Sequence, residues 1–553
     1  VPGSAVPGRQ IEQPPRQPES ELAPQPVAAP SHDVEAPPGA AAMSFQLNGL
    51  TVDGMTVFDQ ADISWFWQRM IGHTITVAGL FYIANAITRL YADAGYVLSF
   101  AVVPEQKITD GMGTVRIHVI EGYVDKINFA GAPLTPLIGP ADSENPQGAI
   151  VSALARKVLD SRPLQIQDLE RYLLIINDLP GVTAHATFAA SATTPGASAL
   201  TINVERQMAS IDTQIDNRLP DYLGHWNGTA TATLNGFLDG ADQLSVMAGC
   251  GVSCDVYHVA SGRWSTFVGA EGLKLSAMVT TSYDAPEEGF LQSLSFYGRQ
   301  TNVSFSGDYP FIRSRQQTLT GGVAIGGENS GTWTFAGPLT RDQIRTTDIH
   351  GSYDFSDEGG GRNLVHAVLT QGLPVFNGTA YSDPLKSRLY GDSTFTILQM
   401  DVTRNQPLAD LAPPLEGFSL YLTGWGQADL AAPLLSVSQC SYGGSYIGRS
   451  YNSGSLSGDH CAMGLAELRR DVPVDGFLLQ PYVSADAGGV WEKGPLVAGE
   501  QRFLAAESVA AGLRLNKNTW FASDLQVAQP LRASSTENKR ESPRLFLTLL
   551  IHM

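Results

Sequence analysis

Two textures of hydrophobic and polar positions divide the chain. Between residues 44 and 206, apolar residues recur at helical spacing, flanked by short alternating runs. Leu80, Ile83, Ala84, Ile87, Leu90 and Tyr91 follow the i, i+3, i+4, i+7 pattern and predict one helix. Gly95 is placed to end it in a left-handed conformation. Upstream, Phe45–Val52 predicts a strand and residues 61–71 a short helix. Downstream, Tyr96–Val103 and Thr114–Ile120 predict a strand pair. The same order then repeats. Val124–Phe129 predicts a strand, Ala149–Leu159 and Ile166–Asn177 predict helices, and Val182–Ala189 and Ala199–Val204 predict strands. Leu169, Leu173 and Ile176 share one face of the second of these helices. Two successive units of about eighty residues with one element order are an architectural repeat. Each predicts a small three-stranded sheet with exposed edges, and such an edge can accept another chain as an added strand.

From residue 207 the helical period stops. Ile211, Thr213 and Ile215 alternate with Asp212, Gln214 and Asp216. Val303 and Phe305 alternate with Asn302, Ser304 and Ser306, and Phe418, Leu420 and Leu422 with Ser419, Tyr421 and Thr423. The chain closes with Leu545, Leu547, Leu549 and Ile551 in the same rhythm. Alternation suits a soluble sandwich with one wet face, or a membrane barrel with an apolar outside and a polar lumen. Length separates the two, because a sandwich domain is nearer about 100 residues. The region spans 347 residues and holds six of the eight tryptophans. At about 20 residues per strand and turn it predicts roughly 16 antiparallel strands.

Composition agrees. Only 16% of residues are charged, with 35 basic and 54 acidic side chains and a net charge of −19. That balance excludes a nucleic-acid partner, which needs a basic footprint. There is no run of 18 apolar residues for a transmembrane helix, and this does not speak against a barrel. The ten histidines are scattered without metalloprotease or serine-elbow spacing, so no catalytic residue, metal or cofactor is expected. Ten of the 33 prolines fall in residues 1–41, and segment 1–43 reads as an extended linker or tail. The four cysteines form two sequence pairs, Cys250 with Cys254 and Cys440 with Cys461. Disulfides are preferred over free thiols. A metal reading of Cys250, Cys254 and His258 lacks a second ligand pair nearby.

Several motifs stand in a fixed order. The first module carries Pro104-Glu105-Gln106-Lys107-Ile108, then Gly111, Val115 and Glu121-Gly122. The second carries Leu179-Pro180-Gly181-Val182 and Pro195-Gly196-Ala197-Ser198. The alternating region carries Tyr309-Pro310-Phe311-Ile312-Arg313-Ser314-Arg315. Later come Gly443 to Tyr451, Gly458-Asp459, Glu467-Leu468-Arg469 and Asp486-Ala487-Gly488. In this order they resemble the outer-membrane transporters of two-partner secretion, the FhaC/ShlB type. The resemblance implies a linker at 1–43, two POTRA domains at 44–122 and 123–206, and a barrel of about 16 strands at 207–553. It also implies an inward-folding loop at about 440–462.

The resemblance places a V-R-G-F/Y-like tip at Gly448, Arg449, Ser450 and Tyr451, followed by Gly458 and Asp459. Val and Gly of that pattern are replaced here by Gly448 and Ser450. Asp486 and Gly488 match the end of an F-x-D-x-G strand motif, with Ser484 where its aromatic stands. A lumenal guanidinium needs a fixed acceptor, and a wall carboxylate can bind it through two parallel hydrogen bonds. The expected contact is therefore Arg449 with Asp486, pinning the loop as a gate. A Cys440–Cys461 bond would restrain that loop.

The function implied is export of an unfolded exoprotein from periplasm to cell surface without ATP. The POTRA domains would bind the client, outer-membrane lipid would surround the barrel, and the barrel-assembly machinery would insert it. Two alternatives remain open in the sequence. A barrel-assembly factor of the BamA/TamA type usually has more POTRA domains. A passive porin would lack the two modules.

Overall fold

A computed structural model describes residues 6, 8, 34–107, 112–134, 148–194, 196–287, 289–409, 412–496, 501–517, 519–532 and 542–553. Most of the proline-rich segment, and Ile108, Gly111 and Pro195, lie outside these residues. Gly8 lies against Gln300, on the inner wall of the closed sheet described below.

The first module runs β1 (Ser44–Asp53), α1 (Gln60–Ile63), β2 (Thr74–Thr76), α2 (Val77–Asp93), β3 (Phe100–Val102) and β4 (Met112–Ile120). Its sheet order is β2-β1-β4-β3, four strands rather than the expected three. The expected helix over 61–71 is a single turn followed by two short 3₁₀ turns. The stretch is too short for a stable helix, and tertiary burial of Ile63 and Trp67 sets its path instead. The apolar stripe of α2 packs Leu80, Ile83, Ile87 and Tyr91 on Leu47, Val52, Val115 and Ile117. Each such side chain contributes about 1.5–3 kcal/mol when fully buried.

The Glu121-Gly122 pair has a physical role. Glu121 accepts hydrogen bonds from Thr56 N (2.6 Å), Val57 N (3.0 Å), Tyr91 OH (2.8 Å) and the Thr56 hydroxyl. A Cβ on Gly122 would stand 2.1 Å from the Leu98 carbonyl. Burial pushes the Glu121 carboxyl up, but the bonds from Thr56, Val57 and Tyr91 outweigh it and hold it below the ordinary value. With a depressed folded-state value, its contribution is present above the unfolded-chain value and lost as pH falls through the lowered one. Glu121→Ala is expected to destabilise the module by about 2–3 kcal/mol at neutral pH, the scale of hydrogen bonds to a charged group. Hydrogen exchange over residues 44–122 of the full chain would read this, and the wild-type advantage should shrink below pH 4.

The second module runs β5 (Tyr123–Gly131), α3 (Ala149–Asp160), α4 (Ile166–Asn177), β6 (Val182–Ala190) and β7 (Ala197–Arg206), with sheet order β5-β7-β6. Its core gathers Leu154, Val158, Leu169, Leu173, Ile176, Leu200 and Ile202. Both outer strands of this sheet are edges. Asn177 covers part of the β6 edge, because its side chain donates to Ala184 O (3.1 Å) and accepts from Ala184 N (2.8 Å).

The wall of the barrel is formed by β8 (Ala209–Asp216), β9 (Asn227–Asn235), β10 (Asp242–Gly251), β11 (Tyr257–Val268), β12 (Leu273–Asp284), β13 (Tyr297–Arg313), β14 (Gln317–Thr334), β15 (Gly337–Ser356), β16 (Arg362–Gly372), β17 (Thr396–Pro407) and β18 (Phe418–Asp429). After an inserted hairpin, β19 (Cys440–Tyr442) with β20 (Leu456–Gly458), it continues through β21 (His460–Arg470), β22 (Val472–Val474), β23 (Phe477–Trp491), β24 (Phe503–Lys517), β25 (Phe521–Pro530) and β26 (Arg544–His552). Because β21 and β22 both pair with β23, the closed sheet has 16 positions. All its pairs are antiparallel, and β26 closes on β8 through Thr548–His552. Outward residues such as Val303, Phe305, Val323, Ile325 and Leu545 are exposed, while inward Ser282, Gln300, Thr403, Thr423 and Gln526 are buried. Alternation therefore produces an apolar outside and a polar inside. Trp425 lies on the inner side, where it packs against the inserted hairpin.

The strand ends near the modules form one rim, and the opposite ends form the other. The Tyr309–Arg315 motif docks the second module on the first rim. Arg313 donates to both oxygens of Asp178 at 2.9 and 2.7 Å. Glu170 accepts from Arg315 N at 2.7 Å, and Arg171 donates to Pro310 O at 3.0 Å. Bidentate arginine–carboxylate pairing fixes orientation as well as position.

Candidate functional site

The segment between β18 and β21 begins at the far rim and turns into the lumen. It returns as the β19–β20 hairpin, with pairs Cys440↔Gly458 and Tyr442↔Leu456. Gly443 and Gly444 follow with φ of 114° and 129°, which lets the chain reverse there without a side-chain penalty. Gly448 has φ of 79°, and a Cβ on it would stand 2.7 Å from Gly443 Cα. A valine could not stand there, which accounts for the departure at the tip. Tyr451 N donates to Gly448 O at 2.8 Å and closes the tip turn.

Arg449 is buried at 7% exposure, and Glu467 beneath it is fully buried. Arg449 Nη1 donates to Glu467 Oε2 at 2.5 Å and to Ser484 Oγ at 3.1 Å. Glu467 also accepts from Arg514 Nη1 (2.7 Å) and Nη2 (3.1 Å), and from Arg469 Nε (2.6 Å). One carboxylate thus binds three guanidiniums. Tyr482 lies beside two of them, its ring centroid 3.9 Å from Arg514 Cζ and 5.6 Å from Arg449 Cζ. Asp524 accepts from Tyr482 OH at 2.9 Å and lies 3.4 Å from Arg514 Nε.

This corrects the expected partner. Asp486 does not hold Arg449; it accepts from Tyr442 OH at 2.5 Å and from Ser508 Oγ at 2.8 Å. Register explains the exchange. Asp486 lies opposite Leu465 and Ser508, while Glu467 lies opposite Ser484, one inward step toward the module rim. The hairpin presents Tyr442 at the level of Asp486, and the tip beyond Gly443-Gly444 carries Arg449 to the next level. Gly488 makes room for this, since a Cβ there would stand 2.4 Å from the Tyr442 ring. Ser484 in place of an aromatic leaves space for the guanidinium and gives it an acceptor.

The remaining residues hold the tip and neck. Ser450 is fully buried, and its carbonyl accepts from Arg544 Nη1 at 3.1 Å. Tyr451 OH donates to Glu507 O at 3.0 Å and to Arg532 O. At the neck, Asp459 is fully buried and accepts from Arg388 Nη1 (2.7 Å), Leu434 N (2.8 Å) and Lys493 N (2.7 Å). Gly458 lies against the Trp491 backbone, 2.8 Å from its oxygen to a Cβ. Cys440 is bonded to Cys461, which joins the loop to the wall strand β21. Cys250 is bonded to Cys254 at the far end of β10, and His258 Nδ1 is 2.7 Å from Cys254 O. The loop is therefore a peg seated along β21–β26 of the inner wall, held by the Arg449–Glu467 pair, by Tyr442 on Asp486, by the backbone contacts of its tip and by the bond to Cys461.

Sequence reasoning quoted Glu467 without giving it a role, and missed Tyr442, Arg514 and Tyr482. One signal was available: Glu467 is the one acid of its strand and stands in the inward phase beside Cys461, Met463 and Leu465, with Arg469 the next inward residue. An unpaired acid in that place is costly, so a cationic partner was implied.

Comparison with known proteins adds lineage. Residues 45–122 match the POTRA domain, ShlB-type, and residues 196–515 match the haemolysin secretion/activation protein family ShlB/FhaC/HecB. The heme/hemopexin transporter protein HuxB of Haemophilus influenzae is 23% identical over 506 residues, covering 88% of this chain and 83% of HuxB. CdiB from Escherichia coli has a similar structure, with TM-score 0.71 at 16% identity over 96% of this chain and 94% of CdiB. BamA from Haemophilus ducreyi lacking POTRA domains 1–3 superposes with TM-score 0.52 at 12% identity, over 92% of this chain and all of that one.

Proposed function

The chain belongs to the haemolysin secretion/activation family ShlB/FhaC/HecB, and on that premise we propose how its parts divide the work of export. A member of this family is an outer-membrane transporter that secretes a partner protein, with its POTRA region in the periplasm. The module rim accordingly faces the periplasm and the far rim the cell surface. For the proposal we divide the chain into a linker at 1–43, POTRA domains at 44–122 and 123–206, and the barrel at 207–553.

In our reading the client is captured unfolded by strand addition. The β3 edge of the first module is three residues long, and Gln106 extends it by bonding Arg116 N (2.8 Å) and O (3.0 Å). The β6 edge of the second module is nine residues long and is covered at its start, where Val182 N donates to Leu179 O at 3.1 Å and Asn177 takes the Ala184 backbone. Its outer half, from Ala186 to Ala190, is the edge we assign to the client, since backbone hydrogen bonding requires little side-chain identity. The client then passes through a lumen lined by Asp, Gln, Asn, Thr and Ser, polar enough for a chain to slide. Client folding outside supplies the free energy. Insertion of the barrel itself we assign to the barrel-assembly machinery.

The observation that carries the gate reading is the buried contact of Arg449 with Glu467 inside a closed barrel. Arg449→Ala is expected to release the tip, raising conductance of the full chain in planar bilayers and lowering client export at least several-fold. We assign the Cys440–Cys461 bond a restraining role, so a reducing agent should add gating transitions to the wild-type trace. Unchanged conductance and export in Arg449→Ala would remove the gate assignment.

A further inference from the structure

The outer face of the barrel carries a row of residues that export does not use. Directly opposed residues in antiparallel strands share a face. The registers His258↔Tyr283, Tyr283↔Arg299, Arg299↔Gly331 and Gly331↔Arg341 therefore place five residues in one line across β11 to β15. Two residues toward the periplasm lies the row Thr301–Asn329–Gln343, and next Val303–Gly327–Arg345. Below these come Phe305–Ile325–Thr347 and Gly307–Val323–Ile349. Val323 and Ile325 are each 60% exposed and Ile349 63%, so this is the lipid-facing side. The face thus changes along the strands from apolar to cationic toward the cell surface.

Three arginines on a lipid-facing wall require anionic company. Arg299 and Arg341 are exposed, and Arg345 is half-buried. Among the described residues none of the three is paired with a carboxylate. Arg345 bonds Glu328 O, Ile344 O and Asn329 Oδ1, and Arg299 lies over the rings of Tyr283 and Tyr297 at 5.5 and 5.6 Å. Those rings belong to an aromatic ladder, His258–Tyr283–Tyr297–Trp333, with centroid spacings of 5.0, 5.8 and 5.2 Å. Aromatic residues gather at the head-group level of a membrane. Arginine forks match phosphate oxygens, and the Trp333 ring lies over Gly331 between two of them, its edge 2.7 Å from where a Cβ would stand.

We propose that this row binds the phosphorylated head groups of outer-leaflet glycolipids, of the lipid A class. The phosphates bridge Arg299, Arg341 and Arg345, the acyl chains lie on Phe305, Ile325, Val323 and Ile349 toward the periplasm, and the aromatic ladder lies at and beyond the arginines toward the cell surface. At five adjacent strands the row is about 19 Å wide, wide enough for a disaccharide head group. The site is independent of the gate and of the client.

The test uses the full chain in detergent and three probes: bis-phosphorylated lipid A, dephosphorylated lipid A and inorganic phosphate. Native mass spectrometry should retain bis-phosphorylated lipid A on the wild type. R299Q/R341Q/R345Q should bind it about a hundredfold more weakly, and the corresponding triple lysine variant should largely keep it. If the triple variant does not fold, R299Q and R341Q should each lose about fivefold. Equal retention by these variants, equal binding of dephosphorylated lipid A, or full displacement by millimolar inorganic phosphate would each overturn the assignment.

Discussion

Glu467→Ala is expected to disable export more severely than any other single replacement in the lumen. The substitution leaves Arg449, Arg469 and Arg514 facing one another without their shared carboxylate. Removing one partner of a buried pair costs about 3–5 kcal/mol, because the other charge stays buried without compensation. Here three charges lose their acceptor, and among the described residues Asp524 is the one carboxylate that remains paired with any of them. The tip should leave the wall, conductance should rise, and client should vanish from the cell surface. Arg449→Ala removes one of the three cations and leaves Glu467 satisfied by two, so its effect on barrel stability should be smaller. Asp486→Asn should be milder again, since the amide oxygen can still accept from Tyr442 or Ser508. A heat-modified gel shift separates loss of the gate from loss of the barrel, and secretion assays rank the three variants. A ranking with Asp486 first would restore the partner expected from the motif.

Ala186→Pro is the second large effect, and it acts on capture rather than on the pore. On β6, Ala186 has the same phase as Ala184, whose backbone points to the edge and is taken by Asn177. Proline is tolerated on an edge where its missing N–H faces outward. The module should therefore fold, while an incoming strand loses a hydrogen bond and meets the ring. Client pull-down by the full chain should fall by at least tenfold, with conductance unchanged. Binding at the wild-type level would move the capture site to another edge.

Much of this architecture was legible because burial is written with two periods. The stripe on α2 and the alternation of Val303 and Phe305 are each forced by one buried or lipid-facing side, so the sequence exposes them. The segment 61–71 was not legible, because short apolar runs take the shape their surroundings impose. The Tyr309–Arg315 motif was visible as residues but not as a docking element, since its partners Asp178 and Glu170 are more than a hundred positions away. The gate was half legible. The tip and an acidic wall were placed by the resemblance to the family, whereas the choice between Asp486 and Glu467 depends on how far the hairpin reaches past one step of register. Spacing along a chain does not contain that distance.

The central claim is that the client passes through the lumen and displaces the tip from its seat. A photo-crosslinking phenylalanine analogue at position Tyr482 tests it most directly, because that ring faces Arg449. In resting cells the probe should crosslink to the loop around residues 446–451. With a client stalled in export by a folded C-terminal fusion, the crosslink should move from the loop to the client. Crosslinks that stay on the loop while a stalled client is present, with none to the client, would contradict the account.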